Sequence, residues 1–339
     1  MTTECIFPVK SLFGNITQDM MTYVSANARG AINNNLIPRI NIFDNDCKCT
    51  GVACIDTLYN ADNELYYQVS ISGAFAQFLW IICDITIKSH DLFVTLQEFK
   101  LMGIHRESIP DINEQAAALS DEQIKELFKQ QNIDVAPNAF RSYIIRINEL
   151  LRSDITVETM IEEQLLALSL LIGYPYNLDI ERLRILDMKS GYGQTTNACT
   201  IKGISFILLH ELAHHTLGHL LKPEEPQDEI DADQSAFWAI ESDTNSQEKF
   251  TAMIGIISMM FAILIKDYGS PSDGIHQRED KRLFNILDLI QSQNPKYVEF
   301  TLWLFTLWQP VINLPNFPEL DLPNPEEFDK VRTYFQAIT

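Results

Sequence analysis

With 339 residues, 46% of them hydrophobic, the chain is long enough to bury one large core or two closely packed ones. Its formal net charge of -21 argues against a nucleic-acid partner or an anionic membrane surface, since both recruit basic footprints. The start, Met1-Thr2-Thr3-Glu4-Cys5, lacks the basic stretch and apolar run of a signal peptide, and the dispersed cysteines suit a reducing cytoplasm.

Residues 17–33 have a helix-compatible pattern. Segments 37–43, 52–58 and 64–71 then read as strands separated by Asp-, Asn- and Gly-rich turns, giving a small N-terminal β-sheet. Cys47, Cys49 and Cys54 lack the paired C-x2-C spacing of zinc sites and read as free thiols, with a second metal site as the alternative. From residue 75 the pattern turns helical: 75–100, 120–131, 139–151, 157–172, about 201–221, 229–241, 246–266, 278–291, 297–307 and 325–338. The polar stretch 107–113 separates a mixed α/β region, 1–110, from a helical region, 111–339. The longest apolar run, 250–265, is shorter than the roughly 20 residues of a bilayer span and contains Thr251 and Ser258. It reads as a core helix, with a membrane-inserted hairpin as the alternative.

His210-Glu211-Leu212-Ala213-His214 has the H-E-x-x-H spacing of a helical zinc site. Residues four apart share a helix face, so both imidazoles reach one Zn2+, while Glu211 beside them takes a proton from a water at the metal. Residues 204–209 are almost wholly apolar, so the motif sits on a buried helix, where a glutamate is costly without a partner or a role. A third histidine on the H-E-x-x-H-x-x-G-x-x-H plan is excluded, because Leu217 and Leu220 hold the required positions. On one continuous helix, at about 100° per residue, His215 and His219 point away from His210 and read as supporting or surface groups. Glu229, on the next helix, is the candidate third ligand. Asp233, one turn on, is placed to accept the free ring N–H of a ligand histidine. Ala232 and Ala236 are small enough for the two helices to approach closely. The alternative is a solvated acidic helix start, favoured by the helix dipole.

H-E-L-x-H-x-x-x-x-H followed by E-x-x-x-D resembles the gluzincin metallopeptidases, among them the HtpX-type, CAAX-prenyl-type and soluble Lit-type phage-exclusion peptidases. The resemblance covers roughly residues 200–285, and His219 falls on the last histidine of its first motif. His276, with Arg282 downstream, is similar to an HtpX-type histidine that steadies an oxyanion. Gln277 stands where that group has proline, and a surface-loop histidine is the alternative. Tyr192, in the glycine-rich stretch 191–196, is a second candidate oxyanion donor if that stretch forms a substrate-binding rim; a plain loop is the alternative. With no convincing membrane span, and with the apolar segment 78–84, the chain is more similar to the Lit-type group. The resemblance implies an α+β, mostly α, zincin-like fold with a helical bundle around the motif helix. It also implies a latent zinc endopeptidase that cuts a cellular protein, with a link to phage defence. A catalytically silent zinc-fold sensor or binding protein is the alternative function, against which the intact Glu211 stands.

Overall fold

The computed structural model describes residues 15, 16, 18, 19, 39–43, 52–59, 61–63, 65–101, 120–129, 137, 191–223, 225–244, 246–267, 279–291, 294, 296–312, 314–322, 324 and 326–337. The expected helices 139–151 and 157–172, most of 17–33, and Cys5, Cys47 and Cys49 lie outside these residues. Among the described residues the fold is mostly helical, with one small sheet. Strands β1 (Arg39–Phe43), β2 (Ala53–Tyr59) and β3 (Leu65–Ser72) lie in the order β1-β3-β2. β1 runs parallel to β3, with Ile40 opposite Val69, and β2 runs antiparallel to it, with Ile55 opposite Val69. Val69 to Ser72 are buried in succession, including the two serines, so this end of β3 is covered on both faces.

β3 runs straight into α1 (Gly73–Leu101). Ser72 makes the transition by capping the helix: its Oγ accepts the N–H of Phe75 at 3.2 Å, meeting one donor that the first turn leaves free. Every residue from Ala74 to Asp84 is buried, Gln77 and Asp84 included, so this part of α1 has no solvent face. The chain divides into two compact units. The larger comprises Met1–Asp84, Gln164–Leu178 and Leu186–Thr339, and the smaller comprises Ile85–Glu163 and Asp179–Ile185. The smaller unit includes the later part of α1 and α2 (Asp121–Lys129).

The remaining helices belong to the larger unit: α3 (Gly191–Thr216), α4 (Pro226–Asp243), α5 (Ser246–Asp267), α6 (Glu279–Gln291), α7 (Lys296–Ile312) and α8 (Glu327–Ala337). α3, which carries the histidine motif, packs against α4 and α5. Its contact with α5 is a near approach of backbones. A Cβ on Gly203 would stand 2.9 Å from the Gly255 carbonyl oxygen, and a Cβ on Gly255 would collide with the Cys199 carbonyl. Glycine is required at both positions because no side chain fits between the helices. α5 is buried without interruption from Ala252 to Leu264. Among the described residues, its stretch Glu248–Lys266 is the one helix long and apolar enough to cross a membrane, and 78% of it is buried within the protein. Two polar links hold α3 to α1: Trp80 Nε1 donates to Asn197 Oδ1 at 2.8 Å, and Thr196 Oγ1 donates to Asp84 Oδ1 at 2.9 Å.

Three boundaries differ from the sequence reading. α3 begins at Gly191, about ten residues earlier than expected, so the stretch 191–196 is helical and is not a rim strand or a loop. The same helix ends at Thr216, because Gly218 takes a left-handed conformation (φ 76°) and starts a short 3-10 turn, His219–Leu221. α7 continues past residue 307, through Pro310 in its last turn, to Ile312.

Candidate metal centre

The i, i+4 spacing on α3 brings His210 and His214 onto one face, with their Nε2 atoms 3.0 Å apart. α4 supplies the facing carboxylate. Pro226 starts this helix at a position where its missing N–H costs nothing, and the Asp228 side chain accepts the Glu225 N–H at 3.0 Å. The buried Ala232 and Ala236 leave room for α3. Glu229 then faces both imidazoles: Oε2 lies 3.4 Å from His210 Nε2, and Oε1 lies 3.5 Å from His214 Nε2. Ligand atoms of His210, His214 and Glu229 all fall within 4.8 Å of one another. Two zinc ligands at about 2.0–2.1 Å in a tetrahedron are about 3.4 Å apart, so these donors fit such an ion in spacing as well as in chemistry.

One turn along α4, Asp233 lies under His210, with Oδ1 2.8 Å from Nδ1. That nitrogen is the one not turned towards Glu229. Arg282, from α6, grips both acids. Its Nε and Nη2 donate to Asp233 at 2.8 Å each, and its Nη1 lies 2.9 Å from Glu229 Oε2. This bidentate guanidinium fixes the two carboxylates relative to each other, as a single ammonium could not.

These neighbours set the protonation of the site. Burial disfavours charge on His210, but Asp233 and then Glu229 more than offset it, and its pKa is pushed up to about 9. Burial and then the charge of His210 pull His214 down to about 4. Although burial opposes ionisation, His210 and Arg282 hold the Glu229 carboxyl far below the usual range, and Arg282 and His210 do the same for Asp233. Glu211 moves the other way. Burial raises its pKa against the opposing charge of His210, with Glu229 adding to the rise, the direction that suits a group that must take and return a proton.

The other expected site residues fall elsewhere. Tyr192 lies on α3 itself. At about 1.5 Å rise per residue it is about 27 Å along the axis from His210, so a straight helix cannot bring its hydroxyl to this cluster. His276 lies outside the described residues. His219, expected to point away on a continuous helix, is 6% exposed and sits with Nδ1 3.1 Å from His214 Nδ1, because the chain turns back at Gly218. The sequence signal was Gly218, a residue type that commonly ends helices. The clamp by Arg282 had no signal in local spacing, since it joins residues about fifty positions apart.

Two imidazoles and a carboxylate converging beside the half-buried Glu211 form a donor set suited to a divalent metal ion with a proton-transfer group at hand. Residues 182–306 match the family model described as Peptidase U49, the Lit peptidase family. The match supports a peptidase. It covers less than half of the 339-residue chain, but it includes the whole of α3, α4 and α6, which supply every residue of the cluster. No curated protein and no solved structure matches the chain.

Proposed function

We propose that the chain is a zinc-dependent endopeptidase that hydrolyses a peptide bond in a cellular protein. The observation that carries this reading is the convergence of His210, His214 and Glu229 to within 4.8 Å, inside the segment that matches a peptidase family. His210 and His214 would hold zinc through Nε2 and Glu229 through a carboxylate oxygen. The bound ion supplies Lewis acidity, polarising a carbonyl and lowering the pKa of water. Glu211 takes a proton from the attacking water and returns it to the leaving amine, a shuttle that its raised pKa favours. Asp233 keeps the His210 ring turned so that Nε2 faces Glu229. Arg282 keeps Glu229 ionised and in place.

The motif arrangement supports a zincin-like, gluzincin-type centre, and the family match supports the Lit-type affiliation; a link to phage defence is what that resemblance implies. The buried free thiols Cys83 and Cys199 are in keeping with a reducing cytoplasm. The substrate is a protein or peptide. The test is a proteome-wide comparison of protein termini in cells expressing the wild type or Glu211→Gln. New termini that appear only with the wild type support the reading, and identical profiles in both resting and phage-infected cells contradict it.

A further inference from the structure

The two histidines of the centre differ in what holds their outer nitrogens. His210 Nδ1 faces a carboxylate, Asp233 at 2.8 Å, whereas His214 Nδ1 faces another imidazole, His219 Nδ1 at 3.1 Å. The far nitrogen of His219, Nε2, lies 3.5 Å from Asp228 Oδ1. Asp228 is itself fixed twice: its Oδ1 takes Lys222 Nζ at 2.7 Å, and its Oδ2 accepts the Glu225 N–H that starts α4. His219 and Asp228 are 6% and 3% exposed, so the two groups behind His214 are shielded from solvent, while Lys222 closes the chain at the surface. The geometry points to His219 as a positioning residue for the metal centre, setting the tautomer and ring orientation of His214.

The reasoning rests on the zinc reading. A neutral imidazole that gives Nε2 to a metal carries its proton on Nδ1. For His214 that proton has one partner within hydrogen-bonding distance among the contacts of its ring, His219 Nδ1, which must then be an acceptor. An imidazole accepting at Nδ1 carries its own proton on Nε2, the nitrogen that faces Asp228. One anchored carboxylate thus selects the tautomer of His219, and His219 selects that of His214. The turn at Gly218 makes this possible by returning the chain over His214 directly after α3 ends. The rings meet edge-on, with planes at 69° and centroids 5.1 Å apart, so the ring of His214 is also confined sterically.

The test exploits the fact that asparagine reproduces the Nδ1 side of histidine and glutamine the Nε2 side. Zinc affinity is measured by chelator competition for the wild type, His219→Ala, His219→Asn and His219→Gln, with thermal melts of each metal-free protein. His219→Ala should bind zinc about 10- to 100-fold more weakly, the usual effect of losing a group that orients a ligand. His219→Asn should recover most of the loss, because its amide oxygen can still accept from His214. His219→Gln should not, although it can still donate to Asp228. If His219→Ala does not fold, the Asn and Gln variants decide alone. Wild-type affinity in the Ala variant, equal affinity in Asn and Gln, or rescue by Gln but not Asn would overturn the proposal. A wild type that binds no zinc overturns the reading of the metal centre, and this proposal with it.

Discussion

Asp233→Ala, compared with Asp231→Ala, asks most of the metal centre's second layer. Asp233 is 2% exposed, touches His210 Nδ1 at 2.8 Å, and takes two hydrogen bonds from Arg282. Asp231 is exposed and accepts one bond, from Gln227 Nε2. Both substitutions remove one negative charge from α4, so the general electrostatic loss is common to them. Loss of a group orienting a ligand histidine weakens metal binding by about 10- to 100-fold, or roughly 1.4–2.7 kcal/mol. A second effect opposes it. Asp233 is the main group holding a proton on His210, whose pKa of about 9 means that at pH 7 zinc must displace that proton, at a cost of up to about 100-fold in apparent affinity. Removing Asp233 relieves this competition, so at neutral pH the two effects can nearly cancel. The loss is therefore read at about pH 9, where proton competition has almost vanished. Chelator-buffered zinc titrations at pH 7 and pH 9 should show Asp233→Ala weakened at pH 9 and much less so at pH 7, with Asp231→Ala close to wild type at both. Equal affinities for the two variants at pH 9 would refute the assignment of Asp233 to His210.

Zinc binding to the metal-free wild type at pH 7 should release about one proton, from His210, because His214, with a pKa of about 4, is already neutral. Calorimetry in two buffers of different ionisation enthalpy counts it, and a count of zero would contradict the protonation scheme. The same raised pKa makes a stability prediction. The metal-free protein should gain stability from His210 fully below about pH 6.5 and lose that contribution as pH rises through about 9, seen as a falling melting temperature over that window. Glu211→Gln should keep zinc and the fold but slow hydrolysis about a hundredfold or more, as measured by cleavage of the identified substrate. Gly255→Ala should destabilise by about 1–3 kcal/mol or more, because the added methyl meets the Cys199 carbonyl; an unchanged denaturation midpoint would mean that the helices are not in near-backbone contact.

The parts of the site that could be read from sequence are those governed by helix periodicity. His210 and His214, and Glu229 and Asp233, are each four apart, and that spacing alone puts each pair on one face. The core position of α5 followed from its apolar run, interrupted only by small polar residues such as Ser258. What escaped reading depends on the chain's path through space. Gly191 and Gly193 read as part of a rim or a plain loop, yet they lie in α3, whose first turns are held to α1 through Thr196 and Asn197. A continuous helix carries His219 away from His210; one left-handed glycine instead returns it to His214, in the supporting place that is one of its two sequence readings. The reading of 297–307 ended α7 one turn early; the helix runs on to Ile312, and the buried Leu304, Phe305 and Trp308 anchor what precedes that turn. Arg282 stands out in the sequence as the arginine downstream of His276, but not as the group that clamps two acids on α4.

The central claim is that His210, His214 and Glu229 hold one catalytic zinc ion, and elemental analysis of the purified full chain tests it most directly. After metal-replete purification the wild type should carry one zinc per chain, and the His214→Ala and Glu229→Ala variants should carry little while retaining helical content. A wild type without stoichiometric transition metal, or variants that retain it undiminished, would contradict the account.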